Sequence, residues 1–232
     1  MKITIALLAV AVAAMFRGGP AHPGVYDSSA PTLSAVRWRF TAHAKFFSSP
    51  TVSDGAVYIG ASNGRLYAVR LADGTPLWNF AAKGSIDSTP AVAGGVVFFS
   101  SRDGNIYALD ALTGAKRWSF ATDGERRFTA PGIHGITPKH EMMPDPFDVF
   151  LSSPAVAGGV VYAGSGDHNV YALDAATGRL RWKFATANVV HASPAVAGGT
   201  VFIGSWDRYL YALDARSGAL KWKFATGDDR DT

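Results

Sequence analysis

Five tryptophans, Trp38, Trp78, Trp118, Trp182 and Trp222, follow one another at intervals of 40, 40, 64 and 40 residues. Pro50, Pro90, Pro154 and Pro194 reproduce the last three of those intervals. Two unrelated landmarks with one shared period mark a repeat architecture. In such chains a unit of about 40 residues cannot bury its apolar face alone and stacks on its neighbours. The long interval is one unit plus 24 further residues, which places an inserted loop at 123–148.

Each unit contains four short runs separated by turn residues. In the second unit they are Ser88–Val92, Val96–Ser100, Asn105–Asp110 and Lys116–Phe120. The runs are rich in Val, Phe, Tyr and Trp and too short for helices, so they are expected to be strands. Gly94-Gly95, Asp103-Gly104 and Thr113-Gly114 punctuate them, and Asn63-Gly64 does so in the first unit. Asp-Gly and Asn-Gly supply the positive φ that a tight hairpin needs. No run holds a 3.6-residue apolar period. The expected class is therefore all-β, a β-propeller of four-stranded antiparallel blades. A superhelical solenoid fits four-stranded antiparallel units poorly.

The segments ALDALTGAKRW (108–118), ALDAATGRLRW (172–182) and ALDARSGALKW (212–222) resemble the Ala-x-Asp-x-x-Thr-Gly-x-x-x-Trp docking motif of the pyrroloquinoline-quinone-type (PQQ-like) propeller repeat family. Residues 68–78 form a weaker copy, with Arg70 at the Asp position. The resemblance covers 36–224. It implies that Trp38, Trp78, Trp118, Trp182 and Trp222 lie between neighbouring blades, against the Ala residues of the motif and Gly74, Gly114, Gly178 and Gly218. A flat indole carries up to about 250 Å² of surface, and a glycine lets it approach closely.

Val36–Phe40 (VRWRF) matches a unit's fourth strand, yet no first three strands precede it. The expected ring thus has four full repeats plus an orphan N-terminal strand, and residues 225–232 read as the start of a missing further repeat. Three completions are consistent with this: a longer propeller of which the chain is a truncated part, an oligomer closing the ring in trans, or a compact four-blade closure. An open edge strand also invites self-association.

Lys2 followed by the uncharged run Ile3–Met15 has the form of a secretory signal peptide, assigned to 1–21, with a Pro- and Ser-containing linker at 22–35. The run is shorter than the roughly 20 residues of a spanning helix. A periplasmic or secreted location is expected, with no stable membrane anchor unless the signal is retained. The chain has no Cys, which excludes a disulfide scaffold, a thiolate metal site, a cysteine nucleophile and a cysteine-linked lipid. Lys and Arg number 22 against 18 Asp and Glu, too even a balance for a nucleic-acid binder.

Candidate partner-binding positions come from what does not repeat. The insertion carries Arg126, Arg127, His134 and His140, and inserted loops in repeat proteins often bind. Its three prolines, Pro138, Pro144 and Pro146, suggest an irregular loop. Phe47, Asp87, Leu151 and His191 share one position just before each unit's first strand, where they should line one end of the central channel. Ser62, Arg102, Gly166 and Trp206 share a hairpin tip, where Trp206 is a contact candidate. Nine Lys and Arg flank the docking tryptophans, among them Arg117, Arg181 and Lys221, and are expected to guard the outer strands against edge pairing.

No catalytic constellation is legible, and no cofactor or metal is expected. The resemblance offers an alternative, a fragment of a PQQ-dependent quinoprotein dehydrogenase with PQQ and calcium. Enzymes of that family hold the quinone with a vicinal cysteine pair, which this chain cannot form. The leading expectation is a non-catalytic secreted or periplasmic scaffold that binds a protein or peptide.

Overall fold

A computed structural model describes residues 19–21, 35–124, 127–129, 142–144 and 151–227. The signal-peptide run, most of the linker, Arg126, His134 and His140 lie outside the described residues. Four antiparallel sheets of four strands each follow the chain in up-and-down order. The first blade holds β1 (Thr51–Ser53), β2 (Ala56–Gly60), β3 (Arg65–Arg70) and β4 (Pro76–Ala81). The second holds β5 (Ala91–Ala93), β6 (Val96–Ser101), β7 (Asn105–Asp110) and β8 (Lys116–Ala121). Two short strands, β9 (Arg127–Thr129) and β10 (Met142–Pro144), pair with one another inside the insertion. The third blade is β11 (Ala155–Ala157), β12 (Val160–Gly164), β13 (Asn169–Asp174) and β14 (Leu180–Ala185). The fourth is β15 (Ala195–Ala197), β16 (Thr200–Ser205), β17 (Tyr209–Asp214) and β18 (Leu220–Ala225). The result is the propeller architecture that the repeat pattern implied.

Burial explains the strand compositions. The middle strands β6 and β12 are buried along their whole length, as sheets covered on both faces require. The outer strands β8 and β14 bury only their tryptophan and half-bury their phenylalanine. The first strand of the second unit is shorter than expected and starts at Ala91, because Pro90 has no N–H to donate to a ladder.

Between blades the docking follows one rule. A Cβ placed on Gly74, Gly114, Gly178 or Gly218 would lie 2.6–2.7 Å from the ring of Trp38, Trp78, Trp118 or Trp182 respectively. All four glycines have φ of 72–74°, so the turn geometry and the close approach both demand glycine. Each indole Nε1 donates to a carbonyl of the same turn: Trp38 to Leu71 at 2.9 Å, Trp78 to Ala111 at 3.0 Å, Trp118 to Ala175 at 3.0 Å and Trp182 to Ala215 at 3.1 Å. The motif aspartate builds the turn. Asp110 accepts from the Leu112 and Thr113 N–H and from the Thr113 hydroxyl, and pairs with Arg117 at 2.8 Å. Asp174 repeats this with Thr177 and Arg181, and Asp214 with Ser217 and Lys221. Arg117, Arg181 and Lys221 are thus turn clamps as well as outer-strand cations. In the first blade, where Arg70 replaces the aspartate, Asp73 accepts from the Thr75 N–H and pairs with Arg70.

Two details refine the expectations. Residues 36–40 take the side-chain places of an outer strand, with Trp38 on Gly74 and the Phe40 ring 5.2 Å from that of Tyr67. They form no ladder, because among the described residues no third strand lies beside them to supply backbone partners. The insertion is not irregular throughout, since β9 and β10 make a short antiparallel ribbon, with Pro144 at its end where a missing N–H is tolerated.

Candidate partner-binding face

The three crossings whose residues are all described, leading into β1, β5 and β15, run along the end of the blades that carries the central hairpin tips. There the crossing segment bonds to the tip of the next blade's central hairpin. Ser62 N–H donates to Lys45 O at 2.9 Å, Arg102 N–H to Ser85 O at 3.0 Å, and Trp206 N–H to Val189 O at 3.0 Å. These bonds bring residues 15 apart in sequence into one place. Two of the non-repeating positions therefore meet their counterparts, Asp87 with Arg102 and His191 with Trp206, while Ser62 bonds the backbone of Lys45, two residues before Phe47.

The members of a pair are not equally exposed. Arg102 Nε donates to Asp87 Oδ2 at 2.7 Å, with the Asp87 side chain 3% exposed and that of Arg102 20%. Ser85 Oγ donates to the same carboxylate oxygen at 2.8 Å. His191 is buried, its ring 5.4 Å from that of Trp206 in an edge-on arrangement, while Trp206 is 49% exposed. Leu151 is buried and Phe47 is half-exposed. Asp87 and His191 thus sit beneath Arg102 and Trp206 and orient them. The insertion leaves after β8 and returns at β11, so it is rooted on this same end. Arg127 lies in β9, and Arg126, His134 and His140 fall outside the described residues.

Half-buried carboxylates hold the hairpin tips in place. Asp103 accepts from the Asn105 N–H at 3.0 Å, from the Lys83 N–H of the crossing segment at 2.9 Å, and from the Tyr107 hydroxyl at 2.7 Å. Asp167 does the same with Asn169, Asp123 and Tyr171, and Asp207 with Tyr209, Ala187 and Tyr211. Burial, then the neighbouring carboxylate, pushes the Tyr107, Tyr171 and Tyr211 phenols well above the ordinary tyrosine range. Asp207 is held below its ordinary range by hydrogen bonds from Tyr211 and two backbone N–H groups, which outweigh its desolvation. Sequence reasoning used Asp103 only as a turn residue. The signal for its larger role was present as an aspartate four residues before a tyrosine in three successive units.

At the tips, Gly64 and Gly104 have φ of 75° and 79°, and the equivalent residues of the later blades are His168 at 73° and Arg208 at 69°. Left-handed geometry costs a residue with a Cβ about 1–2 kcal/mol. Two blades therefore carry large polar side chains where the backbone favours glycine, and Arg208 lines a cleft of about 320 Å³ with Trp206, Asp207 and Tyr209. Among the described residues no three His, Asp or Glu converge as cation ligands. Among them, too, no helix is long and apolar enough to cross a membrane.

Comparison with solved structures places the fold. BamB from Moraxella catarrhalis matches with a TM-score of 0.65 and 20% identity, over 95% of this chain and 60% of that one. The quinohemoprotein alcohol dehydrogenase ADHIIG from Pseudomonas putida HK5 matches with 0.62 and 19%, over 83% and 36%. The computationally designed Ika4 protein matches with 0.57 and 15%, over 84% of this chain and 100% of that one. The chain thus spans about 60% of the length of the BamB structure it matches. A search of curated protein sequences found no match. The family model described as outer membrane protein assembly factor BamB matches residues 30–135 and 139–231. By its docking turns, its blades and that match, the chain belongs to the BamB family of PQQ-like propeller repeat proteins.

Proposed function

We propose that the protein is a non-catalytic, secreted or periplasmic scaffold. It captures a protein or peptide segment on the end of the propeller that carries the paired variable positions. One observation carries this reading: in a chain whose docking residues repeat blade after blade, chemistry varies in register at one place. That place presents Phe47 and Trp206 half-exposed, at 50% and 49%. Half-exposed aromatics are the usual anchors of protein interfaces, because they bury much area at little entropic cost. Arg102, held by Asp87, adds a directed donor for a carboxylate or a backbone carbonyl. The left-handed His168 and Arg208 support the reading, since strained backbone concentrates at functional surfaces. Membership of a family described by outer-membrane protein assembly supports a protein partner and a periplasmic location.

The test is selection of peptides from a random display library on the folded protein, followed by titration of the winners against variants. Trp206→Ala and Phe47→Ala should each weaken binding about tenfold or more, the effect of losing an interface anchor. Substitutions on the opposite end, such as Leu112→Ala, should leave it unchanged. Peptides that bind all four proteins equally would refute the assignment.

A further inference from the structure

The residue that anchors each hairpin tip is an aspartate in three blades and an asparagine in the first. Asp103, Asp167 and Asp207 each use Oδ2 to accept both a tyrosine hydroxyl and a backbone N–H of the crossing segment, from Lys83, Asp123 and Ala187 respectively. The counterparts in the first unit are Asn63, Tyr67 and His43. Asn63 Nδ2 donates to the Tyr67 hydroxyl at 2.8 Å, and Asn63 Oδ1 accepts the Arg65 N–H at 3.2 Å. Neither bond involves His43. An amide NH2 is a donor only, so it cannot accept the N–H that a carboxylate oxygen takes in the other blades.

We propose that Asn63 is a site of spontaneous deamidation, which converts the first tip to the aspartate form of the other three. The proposal does not rest on the partner-binding reading. Asn63-Gly64 is the one Asn-Gly pair in the chain. The bond from the Arg65 N–H closes an Asx turn, which folds the side-chain amide back toward the Gly64 nitrogen and draws electron density from its carbonyl. Gly64 cannot be exchanged, since its φ is 75° and a Cβ there would lie 2.9 Å from Ala82 O. The fold therefore keeps, beside an exposed asparagine, the residue whose nitrogen is least hindered. Water is the only co-reactant. Base removes the Gly64 N–H proton once its bond to Ala61 O opens, and the nitrogen attacks Asn63 Cγ. The side-chain nitrogen takes a proton from water and leaves as ammonia, closing a succinimide ring. Water then adds to Cγ, the bond from Cγ to the Gly64 nitrogen breaks, and the peptide N–H is restored beside a new carboxylate. Opening at the other ring carbonyl would give isoaspartate and lengthen the backbone of a tip already tied by the Ala61 N–H to Arg65 O bond, so the turn favours aspartate. The new oxygen accepts the Tyr67 hydroxyl and the His43 N–H, and the crossing segment is tied to the first tip as it is to the others.

Ageing the whole protein in mild alkali, followed by digestion and mass spectrometry, tests this. The peptide that carries Asn63 should gain about 1 Da, while those that carry Asn79, Asn105, Asn169 and Asn188 should not. The rate should rise with pH, because base must remove the Gly64 proton. Chromatography against synthetic aspartyl and isoaspartyl peptides should identify aspartate as the main product. A second readout follows the tether itself: hydrogen exchange of the His43 amide should slow by about tenfold or more in the aged protein and in fresh Asn63→Asp alike. Asn63→Gln, which would have to close a larger ring, should stay unmodified and keep the exchange rate of the fresh wild type. Conversion at Asn63 no faster than at the other asparagines, isoaspartate as the main product, or His43 exchange unaltered by Asn63→Asp would overturn the proposal.

Discussion

Gly178 and Gly94 differ in only one respect that matters to stability, so their alanine variants isolate the docking of one indole. Both have positive φ, 72° and 56°. A Cβ on Gly94 meets nothing within 4 Å, whereas on Gly178 it would lie 2.7 Å from Trp118 Cδ2. The left-handed cost of about 1–2 kcal/mol is partly offset by the lower entropy of the unfolded alanine chain, about 0.4–1 kcal/mol. Gly94→Ala should therefore cost about 1 kcal/mol. In Gly178→Ala the indole must also retreat by about 1 Å to reach ordinary carbon contact. Trp118 is buried on all sides, so this overpacking adds about 1–3 kcal/mol. The shift also breaks the Nε1–Ala175 hydrogen bond, worth about 1 kcal/mol. The expected total is about 3–5 kcal/mol. Urea unfolding followed by far-ultraviolet circular dichroism, with m-values compared to confirm that the same surface unfolds, measures both variants. A difference between them of less than about 1 kcal/mol would refute the claim that close indole–glycine contact holds the blades together.

Arg102→Ala should destabilise by about 3 kcal/mol, because it leaves the buried Asp87 carboxylate without its cation, and Asp87→Asn in the same chain should recover part of the loss in thermal unfolding. Acid should loosen the docking turns. Asp110 and Asp174 are held at about 2 rather than 3.8, first by Arg117 and Arg181 and then by their Thr113 and Thr177 partners. Because the folded value is the lower one, their contribution is present above pH 4 and is lost as pH falls from about 4 to 2, which an acid unfolding series in the Asp110→Asn variant should show flattened. In alkali the sign reverses: the phenols of Tyr107, Tyr171 and Tyr211 are raised, so stability is full below pH 10 and falls as pH rises above it, with these tyrosines silent in native absorbance titration. Arg208→Gly should stabilise by about 1 kcal/mol through relief of left-handed geometry while weakening peptide capture, and loss of stability instead would show that Arg208 holds the tip.

Much of the fold was legible because its determinants are local. The Asp-x-x-Thr-Gly turn closes on itself within five residues, so Asp110 and Thr113 announce it wherever they recur. The candidate site was only half legible. Aligning units identified Asp87 and Arg102, and separately His191 and Trp206, as positions that vary. Nothing in the alignment said that they touch, nor that Asp87 and His191 lie beneath their partners. Contact there depends on crossing-segment hydrogen bonds, such as Arg102 N–H to Ser85 O, that have no residue signature of their own.

Residues 36–40 mark the boundary between the two kinds of information. The sequence alone determined their character, five residues alternating apolar and cationic about an indole, and hence the turn on which Trp38 docks. Whether they become a strand was decided by the tertiary structure, since a ladder exists only where a second backbone lies alongside. The same holds at the other edge. The sequence set Trp222 in register with its four counterparts, but its burial depends on the blade that faces it, and that is a property of the assembly rather than of the segment.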